Sequence, residues 1–278
     1  YTERQSCVFA PAAIRGDGLH YCRFTNNEMV HIGPVTLKLA SGCKDNRITH
    51  NRLHDLGGGG IMVGQQNEPR SADLWTGRTR IADNRIYNGG HIYITSAGIW
   101  AGYSGSNIIE HNEVHHLPGM GISTGWMWRN RLTAARHNLI RYNHIHHLGR
   151  SMVGGASGIY TLARQPGTYI HHNLIHDLTK FTGRGGSHGT FGIQVDNGSA
   201  QIVFEKNVIY DVPNACYKQM GTRHVVRNNV FAFCSGSPVH GGEGHEVIRR
   251  SDQGSLRFSH NIILSDNGMI LGDSWSKQ

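Results

Sequence analysis

The stretch Ile140-Arg141-Tyr142-Asn143-His144-Ile145-His146-His147-Leu148 decides the fold, because the chain writes it again and again. Aligned on the asparagine, IRYNHIHHL at 140–148 is matched by ITHNRLHDL at 48–56, IADNRIYNG at 81–89, IEHNEVHHL at 109–117 and IHHNLIHDL at 170–178. The series continues with FEKNVIYDV at 204–212, VRNNVFAFC at 226–234 and FSHNIILSD at 258–266, and a degenerate copy, FTNNEMVHI, stands at 24–32. The anchors Asn27, Asn51, Asn84, Asn112, Asn143, Asn173, Asn207, Asn229 and Asn261 make nine repeats, spaced 22 to 34 residues apart. Self-similarity at such a period is the signature of a solenoid.

A second register follows the anchors. Gly60-Ile61, Gly98-Ile99, Gly121-Ile122, Gly158-Ile159 and Gly192-Ile193 open the short segments GIMVG, GIWAG, GISTG, GIYTL and GIQVD. Each repeat therefore holds three short β segments: one ending at the asparagine, one just after it and one starting at Gly-Ile. They are too short to pair as hairpins within a repeat. Stacking like residue on like, coil upon coil, satisfies them instead. The expected fold is all-β: a single-stranded parallel β-helix of about nine coils with three short sheets. Residues 1–278 read as one such domain. At a strand spacing of about 4.8 Å the rod is on the order of 43 Å long. The isoleucines point inward, and the asparagines stand at the bend between the first two sheets, where each amide can serve turn backbone and the asparagine of the next coil.

Composition agrees. The 37 glycines among 278 residues are nearly double the usual share, with only 7 prolines and 17% charged residues. Branched aliphatics recur throughout, which disfavours disorder, and the glycine content disfavours helix. No apolar run approaches the roughly 18 residues of a membrane span, and no signal or transit peptide is visible. The chain opens at Tyr1 and not at Met, so it is read as a processed or trimmed piece of a longer protein. Cys7, Cys22, Cys43, Cys216 and Cys234 are odd in number and lie in no CxxC spacing, which points to buried thiols and not to a disulfide framework or zinc module.

Three residues after the anchors come His54, Tyr87, His115, His146, His176 and Tyr210. The doublets His115-His116, His146-His147 and His171-His172 invite a metal reading. Recurrence at one register argues for a structural column, with no carboxylates closing a ligand set, so neither metal nor cofactor is expected. The net charge of +8 suggests an anionic partner. Lys and Arg are scattered without a basic helix or nucleic-acid motif, so neither nucleic acid nor membrane is expected. A polysaccharide suits a solenoid groove, and an acidic one suits the charge.

In the third segment, alternation turns Met62, Trp100, Ser123, Tyr160 and Gln194 outward. Two residues on stand Gly64, Gly102, Gly125, Leu162 and Asp196, so one carboxylate interrupts an otherwise apolar or bare row. Trp126 and Trp128 lie beside it, either as a platform for sugar rings or as plugs holding a loop to the rod. Asp196 with Gln194, Tyr160 and Arg164 is the expected functional cluster, though Asp196-Asn197-Gly198 also has the form of a capped turn.

Specific segments carry a family resemblance: GGGGIMVG at 57–64, SAGIWAG at 96–102, GISTGWMW at 121–128, GIYTLARQPGTYIHHNLIHDL at 158–178, GIQVDNGS at 192–199 and VVRNNVFAF at 225–233. From about Pro11 to Leu264 the chain resembles the right-handed parallel β-helix proteins grouped around glycoside hydrolase family 141, bacterial enzymes of complex polysaccharides. The resemblance implies a right-handed coil, a secreted or periplasmic location and a catalytic acid at Asp196. It places a second acid just ahead of GIYTL, where this chain has Gly155. Glycoside hydrolysis needs two carboxylates. Glu243, Asp252 or Asp177 could supply the second, or His188 could donate the proton.

Hydrolysis of a complex polysaccharide is thus the first expectation. Asp196, His188 and Glu243 would be catalytic, Trp100, Trp126, Trp128, Tyr160 and Gln194 would line subsites, and Arg164, Lys218 and Arg249 would hold anionic groups. Lyase or epimerase chemistry on uronate chains is the alternative, as is a non-catalytic glycan-binding homologue.

Overall fold

The computed structural model describes residues 5–149, 155–179, 189–234, 239–240 and 256–266. Among them the chain winds as a parallel β-helix with three nine-stranded sheets and no helix. The first sheet holds the strands before each asparagine, such as Ile108–Glu110 and Leu139–Arg141. The second holds those after it, such as Glu113–His115 and His144–His146. The third holds the Gly-Ile segments, such as Ile99–Gly102, Ser157–Thr161 and Phe191–Val195. Every pairing in the three sheets is parallel, coil to next coil, and Ile61, Ile99, Ile122, Ile159 and Ile193 stack in one register as expected.

Three apolar ladders fill the interior. Ile81, Ile109, Ile140 and Ile170 come from the first sheet, Ile86, Val114, Ile145 and Ile175 from the second, and the third contributes its isoleucines. A fully buried side chain of this size gains about 1.5–3 kcal/mol over an exposed one. The uniform ladder therefore stabilises each coil only through its neighbours.

The asparagine ladder runs unbroken through all nine coils. Asn112 Nδ2 donates to Asn143 Oδ1 at 3.0 Å, and Asn143 Nδ2 to Asn173 Oδ1 at 3.0 Å. The same oxygen accepts the next backbone amide, as Asn112 N to Asn143 Oδ1 at 3.1 Å, and Nδ2 also reaches a first-sheet carbonyl, as Asn143 to Ile109 O at 2.9 Å. A buried amide left unpaired costs about 1–3 kcal/mol, so each anchor must satisfy its neighbour. Five residues upstream runs a second, shorter ladder, in which Asn107 donates to Asn138 Oδ1 at 3.0 Å and Thr79 N to Asn107 Oδ1 at 3.1 Å.

The bends explain much of the histidine excess. The residue before each asparagine has φ between 54° and 58°, and four residues after it the chain again turns left-handed in most coils, at 49° to 57°. Asn, Asp and His are the non-glycine residues enriched in that conformation. His31, His50, His111, His116, His147, His172 and His260 all sit at such bends.

One expectation about cysteine is corrected. Cys216 and Cys234 form a disulfide across 18 residues of sequence, both fully buried, while Cys7, Cys22 and Cys43 are free thiols. No CxxC spacing announces the bridge: the return of the coil brings the end of a second-sheet repeat against the start of a third-sheet strand.

Candidate functional site

The outer face of the third sheet differs from the open groove expected of it. Met62, Trp100, Ser123 and Tyr160 do point away from the coil interior, but none is more than 1% exposed. Met62, Trp100 and Tyr160 join a second apolar layer with Cys7, Val8, Ala10, Leu162 and Trp126. The segment from Gln5 to Ala10 is the cover. Lys38 Nζ donates to Val8 O at 3.1 Å, Cys7 Sγ lies 2.8 Å from Thr95 Oγ1, and Gln5 reaches Tyr160. The glycine row is no bare floor either, because a Cβ on Gly102 would come within 1.9 Å of the Trp100 ring. Glycine is there to let the indole lie down.

The tryptophans divide accordingly. Trp100, Trp126 and Trp128 meet edge to face in series, with ring centroids 5.5 and 4.9 Å apart. Trp100 and Trp126 are buried and act as plugs, and Trp128 alone opens to solvent, at 45% exposure. The expected platform is thus reduced to one ring.

Beside Trp128 the structure assembles the expected polar cluster in part. Asp196, 9% exposed, ends the strand Phe191–Val195. Its Oδ2 accepts the Tyr160 hydroxyl proton and its Oδ1 the Asn197 amide at 2.7 Å. Ser199 N closes the turn on Asp196 O at 3.1 Å, so the carboxylate both caps a turn and faces Tyr160. Burial, then the Asp196 charge, pushes the Tyr160 hydroxyl well above its ordinary pKa, which keeps it a donor. Trp128 is a further partner of that hydroxyl. Gly198 has φ +76° and would bring a Cβ within 2.5 Å of the Arg129 backbone, so the loop bearing Trp126 and Trp128 is seated on this turn.

Other candidates are engaged elsewhere. Gln194 accepts from Ser157 Oγ at 2.7 Å, Arg164 Nε donates to Gln201 Oε1 at 2.6 Å, and Lys218 Nζ lies 4.6 Å over the Phe191 ring. Of these, Lys218 is in register with Gln194, which is in register with Tyr160, on three successive coils. Asp177 accepts from His176 just after the second-sheet strand Leu174–His176. Gly155 has φ +98°, a conformation strained for any carboxylate-bearing residue. His188, Glu243, Arg249 and Asp252 lie outside the described residues.

The sequence reading missed a second concavity. Where the third sheet turns toward the first, a cavity of about 240 Å³ is lined by Lys44, Trp75, Arg78, Arg136 and His137, among others. Arg136 stands 6.0 Å over the Trp75 ring, and Arg78 grips Asp45 through two bonds of 2.7 Å. Its signal, one tryptophan amid separated basic residues, is scattered over nearly 100 positions of sequence and gathered only by coiling.

The pattern of the right-handed β-helix region matches residues 12–276. The chain belongs to that right-handed β-helix family. No curated protein matches this β-helix chain in sequence. Among solved structures, a glycoside hydrolase is similar at 19% identity and TM-score 0.65, with 96% of this chain and 41% of the other covered. A periplasmic alginate epimerase is similar at 15% identity and TM-score 0.55, with 87% and 50% covered. Likeness at these identities concerns the fold. The β-helix chain spans half or less of the length of these two proteins.

Proposed function

We propose that this β-helix is a carbohydrate-active enzyme that hydrolyses glycosidic bonds in a complex, anionic polysaccharide, in the manner of glycoside hydrolase family 141. One observation carries the reading: a nearly buried carboxylate, Asp196, is held by the Tyr160 hydroxyl and the Asn197 amide beside the exposed Trp128 ring. A fixed carboxylate next to an apolar platform is what a glycosidase needs as acid, base or nucleophile. Its working surface is confined to the end of the third sheet near Trp128 and Lys218, since the Gln5–Ala10 segment covers the earlier coils. The net charge of +8 and the basic Trp75 cavity favour an anionic chain. The Cys216–Cys234 disulfide favours an oxidising compartment, hence secretion or a periplasmic location.

Glu243, as second acid, and His188, as proton donor, complete this proposal. Asp196→Asn should cut reducing-end release on a glycan panel by roughly 10²–10⁴-fold, and Glu243→Gln should do the same if it is the partner. Unchanged turnover in Asp196→Asn would overturn the reading.

Lyase or epimerase chemistry is the second reading. Gly155 stands where the hydrolase pattern has an acid, while Lys218 on the same face supplies a cation for carboxylate neutralisation. New absorbance from unsaturated ends would select it, and binding without turnover would select a non-catalytic role.

A further inference from the structure

We propose that Glu113, His144 and His146 bind a divalent transition-metal ion of the zinc class on the outer face of the second sheet, away from Asp196. Register makes the cluster: Glu113 pairs with His144 one residue after the anchors, and His115 with His146 three residues after them. Alternation turns all four outward over two coils, and the third coil adds His176 beside His146. One donor atom from each of Glu113, His144 and His146 lies within 4.8 Å of the other two. His146 Nε2 is 3.3 Å from Glu113 Oε1. Ligand atoms around one ion with bonds of about 2.1 Å stand roughly 3–4 Å apart, so side-chain rotation alone closes the set.

The outer contacts orient the donors inward. Arg85 Nε holds the far oxygen of Glu113 at 2.8 Å, leaving Oε1 toward the rings. His146 Nδ1 faces His147 Nδ1 at 2.7 Å, and His115 Nδ1 faces His116 Nδ1 at 2.6 Å, so in both rings Nε2 is the atom turned to the cluster. Asp177 takes the Nδ1 proton of His176 at 2.9 Å, so the Nε2 lone pair of His176 accepts from His144 Nε2 at 2.8 Å, a proton that must leave before that nitrogen binds an ion. His176 and Asp177 thus border the set of Glu113, His144 and His146 without belonging to it. The Nε2 of His115, buried and 3.9 Å from Glu113 Oε1, has no hydrogen-bond partner among the described residues. A stacking column accounts for the ring planes but not for ring nitrogens converging on a carboxylate oxygen. Imidazole with one carboxylate selects zinc, nickel, copper or cobalt over calcium or magnesium.

The test uses the full chain stripped of metal and titrated with Zn²⁺ by calorimetry, then with Co²⁺ by visible absorption. One equivalent of Zn²⁺ binding at micromolar or tighter affinity is expected, with a Co²⁺ spectrum showing nitrogen ligation. The informative variants keep the fold, because each installs the residue found at the same register of another coil. His144→Leu follows Leu174, and His146→Tyr follows Tyr87 and Tyr210. Each should weaken Zn²⁺ binding by about 100-fold or more, since loss of an outer partner alone costs about 10–100-fold. His172→Asn, outside the cluster, should bind as the parent does. Absence of stoichiometric binding in the parent, or parent-like affinity in both His144→Leu and His146→Tyr, overturns the proposal.

Discussion

The outer faces of the second and third sheets are built on the same coils, yet one stays partly open to water and the other is closed along most of its length. On the second sheet, His54, Tyr87, His115, His146, His176 and Tyr210 stack in a column, with successive ring centroids 4.7 to 5.4 Å apart and planes within 7°. On the third, Met62, Trp100, Ser123 and Tyr160 occupy an equally regular outward column but are sealed under the Gln5–Ala10 segment. Periodicity dictates which way a side chain leaves the coil. It does not dictate what lies on the other side.

Two expected outcomes press on that difference. Trp100→Ala should destabilise the protein by about 3–5 kcal/mol, the cost of emptying a large buried site. Trp128→Ala, one ring further along the series and 45% exposed, should cost about 1 kcal/mol, the worth of its edge-to-face contact with Trp126, while weakening glycan binding. Equal losses in a denaturant titration of the two variants would erase the distinction between the sealed and open parts of this face.

Histidine offers a sharper version. The ladder histidines face outward, whereas His224 is wholly interior, with Nδ1 accepting from Ile202 N at 3.3 Å and Nε2 facing Ser199 O at 3.2 Å. Burial pulls its pKa down to about 4, against the two backbone bonds that oppose the shift. The unfolded chain, with an ordinary histidine, binds that proton more readily. The contribution to stability is therefore whole above about pH 6.5 and falls away as the pH drops toward 4, by about 3 kcal/mol in all. His224→Gln should flatten that part of the stability profile, and a slope unchanged in the variant would locate the acid sensitivity elsewhere.

A comparably small effect concerns the half-buried column itself. Tyr87→Ala removes one ring from between His54 and His115 and should cost about 1 kcal/mol, as stacked pairs do. A loss as large as that of Trp100→Ala would mean the column is part of the core.

The residues that were legible are those whose environment repeats. Asn51 through Asn261 and Ile61 through Ile193 announce the coil because each meets a copy of itself one turn away. The shorter ladder of Asn46, Asn107 and Asn138 carried the same kind of signal, five residues before the anchors, and was missed beneath the stronger one. Within the candidate site, Asp196, Tyr160, Trp126 and Trp128 were named from the sequence and are gathered by the fold. Arg164 and Gln194 were named with them, but each has a partner of its own, Gln201 and Ser157. The basic cavity around Trp75 and the bridge between Cys216 and Cys234 were not foreseen, since neither repeats and both join residues that only the return of the chain brings together.

By itself, then, the sequence determined the parallel β-helix, its nine coils and the direction of its ladder side chains, because like-on-like stacking makes local pattern and global fold the same statement. Only the tertiary structure decided that the third face is largely closed, that glycines there make room for an indole, and that two cysteines are joined. It also brought Glu113 within reach of His144 and His146. These outcomes depend on contacts between unlike residues in different coils or from the covering segment, which no repeat encodes.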